Sequence, residues 1–268
     1  FAKMTRRDHK KSLVVDGRVG FTGGMNVSDD YAPVELGGHG WRDTHLRLEG
    51  PAALELEYFF LRTWRRGGGA PLDEARYGGH GGRRADPKVR IVSNDLRHGR
   101  TDIREMYRSA ITGAEQRIYL TNAYFLPTIR LLGNLTAAAR RGVDVRIVVA
   151  GTTDVSAVLY ASRALYQKLL KAGVRIYEWK GRVLHAKTAV IDGRWSTVGS
   201  SNLDYQSLRH NLEVNAVVED AHFAAAMERM FLDDLAHCEE IRYEAWDRVR
   251  MPWERAASWG LFFLRDWL

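Results

Sequence analysis

The stretch DHKKSLVVDGRVGFTGGMN, residues 8 to 26, returns as LHAKTAVIDGRWSTVGSSN at residues 184 to 202. Set side by side without gaps, His9 falls on His185, an offset of 176 (185 − 9). The same offset pairs Lys11 with Lys187, Val14 with Val190, Asp16 with Asp192 and Gly17 with Gly193. It also pairs Arg18 with Arg194, Gly23 with Gly199 and Asn26 with Asn202. Repeats of about 20 to 50 residues signal solenoids or arrays, whereas a lag of this size is the length of a domain. The expectation is a duplicated domain in which each copy supplies half of one site.

Both repeats read as a strand, a tight turn and a second strand, because Asp-Gly between β-prone runs is a strong hairpin signal. Along an extended strand alternate side chains share a face. The His and Lys of each H-x-K therefore point to the same side.

Working outward, residues 41–51 read as a strand and 53–66 as a helix, with Leu54, Tyr58, Leu61 and Trp64 near helical spacing. Residues 67–88 are rich in Gly and charge and read as a linker. From 89 to about 240 strand and helix patterns alternate, which argues an α/β sheet with helices on its faces. Thr101 or Asp102 is expected to cap the first of these helices, and Gly142 and Gly173 to end the next two. The second copy has 96 residues (185 − 89) ahead of its histidine and the first has eight. The expected organisation is thus 1–66, the C-terminal part of a first half whose beginning is missing; 67–88, linker; 89–240, a second half; and 241–268, an amphipathic tail.

The chain has 268 residues, a net charge of +7 and a pI near 9.6, which favours anionic partners: nucleic acid, an acidic membrane surface or a phosphorylated substrate. Cys238 is the only cysteine, so no intrachain disulfide and no cysteine-based zinc cluster can form. No run approaches the roughly 18 apolar residues of a spanning helix, and no signal peptide is read. The opening residue is Phe1, and the expectation is that the natural N-terminus has been cut away.

Two His–Lys–Asn sets suit phosphodiester chemistry. Such a reaction needs a nucleophile, a proton for the leaving alcohol and cations to stabilise phosphate charge. One neutral imidazole can attack phosphorus and a protonated one can feed the leaving oxygen. Lys11, Lys187, Asn26 and Asn202 can hold the nonbridging oxygens as donors. No metal is required by that inventory. Each histidine needs an acceptor on its second ring nitrogen to set the tautomer. Asp43 and Glu213 are the candidates, each lying shortly after a motif. The other histidines lack a paired pattern: His39, His80 and His98 sit in loop-like contexts, and His210, His222 and His237 stand alone.

H-x-K-x4-D followed by G-[GS]-x-N, present twice, resembles the phospholipase D superfamily. The surroundings GGMNVSDDYA, WRDTHLRLEGPA, NAYFLP and GSSNLDYQSLRHNLEVN resemble its bacterial cardiolipin synthases. The resemblance implies two α/β/α sandwich halves related by a pseudo-twofold axis, with the first half truncated here. It implies a site at their interface, a phosphohistidine intermediate and no cofactor. By resemblance His9 is the nucleophile and His185 the general acid. Lys11 and Lys187 complete the catalytic set, and Asp16 and Asp192 belong to it in supporting roles. The implied reaction moves a phosphatidyl group from one phosphatidylglycerol to another and releases glycerol, with phosphatidylethanolamine as an alternative phospholipid substrate.

The implied partners are phospholipid and an anionic membrane surface, at the cytoplasmic face of a bacterial inner membrane, rather than nucleic acid or a metal. Tyr124, Phe125 and Leu126 read either as a lipid entrance or as strand-end core. In the tail, Trp253, Ala257, Leu261, Leu264 and Leu268 fall on one helical stripe among arginines. That pattern reads as an interfacial membrane helix, against the alternative of a helix docked on the protein itself. The rival functions are a hydrolysing phospholipase D, a nuclease of the same superfamily, and an inactive fragment that binds anionic membranes.

Overall fold

The structure is a computed structural model, and it describes residues 7–72, 88–94, 102–153, 156–249 and 260. The fold is mixed α/β, with two sheets. The first repeat forms strands β1 (Ser12–Val15) and β2 (Val19–Gly23), which join β3 (His45–Glu49) in a three-stranded antiparallel sheet. Helix α1 (Pro51–Arg66) follows, with proline in its first turn, where the missing amide costs no hydrogen bond.

The remainder builds around an eight-stranded sheet. In chain order come β4 (Val89–Ser93), α2 (Asp102–Thr112), β5 (Arg117–Asn122), α3 (Ile129–Arg140), β6 (Asp144–Ala150), α4 (Ser156–Lys171) and β7 (Arg175–Trp179). The second repeat then forms β8 (Lys187–Ile191) and β9 (Trp195–Gly199), followed by α5 (Tyr205–Arg209), β10 (Val214–Glu219), α6 (Ala221–Asp234), β11 (Cys238–Ile241) and α7 (Tyr243–Val249). The strand order is β11-β7-β6-β5-β8-β9-β10-β4. Strands β5, β6 and β7 run parallel, and the other neighbours are antiparallel.

Both repeats turn as expected. Asp16 and Asp192 each have φ 53°, and the glycines after them, Gly17 and Gly193, have φ 61° and 63°. Two consecutive positive φ values make the tight hairpin turn that Asp-Gly favours. Thr128 caps α3 by accepting from the Leu131 amide, and Asp220 caps α6 by accepting from Phe223. Gly142 and Gly173, both at φ 93°, lie just beyond α3 and α4 and take the left-handed conformation that lets the chain turn away.

Two layers cover the large sheet. On one face Ile103, Tyr107, Leu135, Leu165 and Leu169 pack on Ile118, Leu120, Ile147 and Ile176. On the other, Ala224, Met227 and Phe231 of α6 meet Tyr119, Val148, Tyr177 and Trp179. Each fully buried large aliphatic contributes about 1.5–3 kcal/mol. Leu48, Ala52 and Leu56 of the first copy pack on Ile91, Val214 and Ala216. This third cluster holds the small sheet against β10 and β4 of the second copy, so the two repeats share one body.

Some expectations need revision. Strand β11 pairs antiparallel with β7 through Cys238–Ile241, across the boundary expected at 240/241. The tail also begins differently. Trp246 packs on Tyr166 at 5.0 Å between ring centroids and lies against the main core, so α7 docks on the protein. Phe125 and Leu126 are core residues, at 2% and 1% exposure. Most of the linker, the cap Thr101, His80, His98 and the tail stripe lie outside the described residues. Among the described residues no helix is long and apolar enough to cross a membrane.

Candidate active site

The two histidine strands reach each other through matched backbone ladders. Just before β1, the His9 amide donates to the Leu212 carbonyl at 2.9 Å, and the Leu212 amide donates to the Arg7 carbonyl at 2.9 Å. Just before β8, the His185 amide donates to the Arg42 carbonyl at 2.8 Å, and the Arg42 amide donates to the Val183 carbonyl at 2.9 Å. The two patterns are equivalent. In each, the strand that carries one copy's histidine is stitched to the residue just before the other copy's carboxylate.

The carboxylates therefore pair crosswise. Nδ1 of His9 lies 3.1 and 3.2 Å from the two carboxylate oxygens of Glu213. Nδ1 of His185 lies 2.8 Å from Oδ2 of Asp43. The hydrogen of each ring is thereby drawn to Nδ1 and Nε2 is left free for chemistry. Neither pair could be assigned from the sequence, in which each carboxylate follows its own motif.

Both carboxylates are withdrawn from water, with Glu213 at 0% and the Asp43 side chain at 1% exposure. A buried charge is tolerated only with hydrogen-bond partners. Glu213 also accepts from the Ser200 hydroxyl at 2.5 Å, and Asp43 from the Thr44 amide at 2.6 Å. The histidines differ in shelter: the His9 side chain is 29% exposed and that of His185 is 8%. Burial lowers the pKa of His185, and Asp43 offsets part of that effect.

The lysines repeat the symmetry. Lys11 Nζ donates to the carbonyl of His9 at 2.8 Å, and Lys187 Nζ donates to that of His185. Burial lowers the pKa of both, and that of Lys187 falls to about 8. Lys11 feels Glu213 and Asp43, and Lys187 feels Asp43, Lys11 and Glu213, so charges from both copies act on one region. Asp204 lies in that field, near Glu213 and His9, where burial raises its carboxyl to about 6.

Asn202 is buried, with Oδ1 unpartnered among the described residues. Asn26 is exposed and donates through Nδ2 to the Tyr31 hydroxyl at 3.3 Å. Tyr31 in turn lies 3.0 Å from Nδ1 of His185, and Trp41 and Tyr124 bring their rings to 5.8 and 6.5 Å from it. Sequence reasoning left out Tyr31 and Trp41, although both lie within GGMNVSDDYA and WRDTHLRLEGPA, because only the fold carries them to the other copy's histidine.

Asp16 and Asp192, expected among the catalytic residues, do not join this cluster. They sit in the hairpin turns at the ends of β1 and β8 remote from the histidines. Asp192 accepts the amides of Glu115, Gln116 and Arg117 at 2.8–2.9 Å. Burial alone would raise its pKa, but those amides hold it below the usual carboxylate value. Asp16 is exposed. A cavity of about 950 Å³ between α1, β4 and α2 touches Asp192 and none of the histidines or lysines of the repeats. Among the described residues, no group of three or more His, Cys, Asp or Glu side chains could hold a metal ion.

The chain is similar to known proteins in both sequence and fold. Residues 107–235 match the family described as cardiolipin synthase, PLD-like domain. The chain is 34% identical over 250 residues to a cardiolipin synthase of Geobacillus sp. (strain WCH70), covering 90% of this chain and 49% of that protein. It is 38% identical over 228 residues to cardiolipin synthase B of Escherichia coli (strain K12), covering 81% and 53%. The chain thus spans about half the length of the curated relatives it matches.

Among solved structures, phosphatidylserine synthase of Haemophilus influenzae Rd KW20 superposes with a TM-score of 0.77 at 11% identity, over 100% of this chain and 72% of that one. Nuc of Salmonella typhimurium, a phospholipase D family member, gives 0.50 at 21% identity, over 59% and 99%. At those identities the two structures speak for the fold. The family match over residues 107–235 and the relatives in sequence, with the paired motifs, show that the chain carries a cardiolipin synthase, PLD-like domain of the phospholipase D superfamily.

Proposed function

We propose that this protein is a phosphatidyltransferase that converts phosphatidylglycerol into cardiolipin and glycerol at an anionic membrane surface. The observation that carries the reading is the crossed pair of imidazole–carboxylate contacts, His9 with Glu213 and His185 with Asp43. It supports two Nε2 atoms free to act on one phosphorus.

In this reading Nε2 of His9 attacks the phosphorus of phosphatidylglycerol. The bond to the glycerol oxygen breaks, and that oxygen takes a proton from Nε2 of His185. The second phosphatidylglycerol then gives its hydroxyl proton back to His185 as its oxygen attacks the phosphohistidine. Cardiolipin leaves and both imidazoles are restored. Lys11, Lys187, Asn26 and Asn202 hold the nonbridging oxygens through the sequence. Asp16 and Asp192 shape the hairpins that carry H-x-K and do not touch the phosphate. The net charge of +7 favours an anionic bilayer, and the cytoplasmic face of a bacterial inner membrane is the proposed setting.

The test is incubation with labelled phosphatidylglycerol vesicles in chelator. Cardiolipin with glycerol in equal yield is the expected result. Phosphatidic acid alone would make the protein a hydrolase, and no lipid turnover beside cleavage of DNA would make it a nuclease.

A further inference from the structure

The second histidine carries a contact that the first lacks. Tyr31 closes the 3-10 turn Asp29–Tyr31, which Ser28 caps by accepting from the Asp30 amide. From there its hydroxyl lies 3.0 Å from Nδ1 of His185, the same nitrogen that meets Asp43. The Asn26 amide donates to that phenol oxygen from the other side, at 3.3 Å. One oxygen thus touches a side chain of the first motif and the imidazole of the second. Trp41 braces the arrangement, its ring 5.6 Å from Tyr31 and 5.8 Å from His185.

The other half-site is built differently. At the 176-residue offset Tyr31 corresponds to Ser207, which is buried within α5 and donates its amide to the capping carboxylate of Asp204. Among the described residues the hydrogen-bond partner of the His9 ring is Glu213.

We infer that Tyr31 is a positioning residue whose hydroxyl ties Asn26 to His185 and so fixes the second imidazole against the phosphate-binding edge of the first copy. As far as turnover is concerned, this rests on the function proposed above. Burial pushes the Tyr31 hydroxyl above its ordinary pKa, with Asp43 adding to the effect, so the phenol stays protonated through the working pH range. It is a neutral second acceptor for the Nδ1 hydrogen. A shared acceptor limits ring rotation and favours imidazolium, whose N–H is the stronger donor. The charged groups facing His185 are Asp43 and Asp30, which favour its protonated form, and Lys187 and Lys11, which oppose it.

Tyr31→Phe keeps the ring and removes the oxygen. The expected result is a fall in kcat of roughly tenfold, the share of one charge-assisted hydrogen bond, with KM and melting temperature little changed. In the substrate-free protein, an imidazole titration followed by nitrogen-15 NMR should show the His185 pKa moving down, and the alkaline limb of kcat should move down with it. A lower kcat with an unmoved His185 pKa overturns the inference, and so does a moved pKa with wild-type kcat. If His185→Ala retained turnover, the proposed function would fall instead. If the protein turned over no lipid at all, the titration alone would decide the Tyr31 contact.

Discussion

Around His9 the supporting carboxylate is a glutamate backed by the Ser200 hydroxyl; around His185 it is an aspartate backed by the Thr44 amide. The 176-residue offset sets Gly24 opposite Ser200, and the contrast between those two positions explains the difference. Asp43 is one methylene shorter than Glu213 and must come closer to the backbone. A Cβ at Gly24 would stand 2.2 Å from its Oδ1. Glu213 reaches its histidine from farther away and leaves room for a side chain, which serves as a donor. Two half-sites thus arrive at the same imidazole tautomer by trading side-chain length against bulk, and a substitution that suits one copy disrupts the other.

Removal of either imidazole should break the comparison outright. His9→Ala and His185→Ala are each expected to lower kcat by a factor of about 10³ or more, because the two rings act as one unit. Normal turnover in either, measured on phosphatidylglycerol vesicles, would show that the halves do not share a site.

Next in size is Gly24→Ala, which forces Asp43 off Nδ1 of His185 and should cost about 10²-fold in kcat. The equivalent change in the other copy, Ser200→Ala, fits without a clash and removes the hydroxyl that donates to Glu213 and accepts from the Val214 amide, for a loss of about tenfold in kcat. Equal effects of the two variants would refute the length-for-bulk account.

The pH profile sharpens the contrast between the lysines. Lys187 is fully buried and titrates near 8, so its charge is present below that pH and lost above it. Loss of that charge should add a second step near pH 8 to the fall in kcat/KM, beyond the limb set by His185. The pKa of Lys11 is also lowered by burial, with Glu213 and Asp43 opposing. Lys187→Arg should abolish the step near 8 and leave the His185 limb, whereas Lys11→Arg should leave the step near 8 in place.

The smallest expected effects concern the turn aspartates. Asp192→Asn loses charge-assisted bonds to three amides and should destabilise the protein by about 1–2 kcal/mol, discounted for its partial exposure. Asp16→Asn should change melting by no more than about 0.5 kcal/mol, as for an ordinary surface position. Asp192 has a depressed folded-state pKa, so its contribution is full above the unfolded value and is lost as pH falls through the folded one. A difference between the two variants that persisted well below both values would contradict that origin.

The two turn aspartates differ because their strands do. In the second copy β5 lies along the outer edge of β8, and Ala189 and Ile191 are buried. In the first copy the same edge of β1 has no partner among the described residues, and Leu13 and Val15 are 59% and 45% exposed. The repeat is the same in sequence, and its surroundings decide whether an aspartate is a structural anchor or a solvated turn residue.

The chain by itself determined the local geometry. H-x-K on a strand, the Asp-Gly turn and the run of alternating β and α patterns are short-range signals. Backbone sterics and side-chain periodicity act within a few residues, so both hairpins and most elements of the second half could be read directly. The motif likewise named its polar set without knowledge of contacts.

Only the tertiary structure decided which carboxylate serves which histidine, because the ladders Arg7–Leu212–His9 and Val183–Arg42–His185 join segments about 140 to 200 residues apart, beyond any local rule. The same holds for Tyr31 and Trp41, which become neighbours of His185 by packing, and for β11 and α7, whose short patterns gain meaning from the sheet edge and the Tyr166 ring that receive them. Short-range physics fixes what a residue can do; long-range packing fixes which partner it does it with.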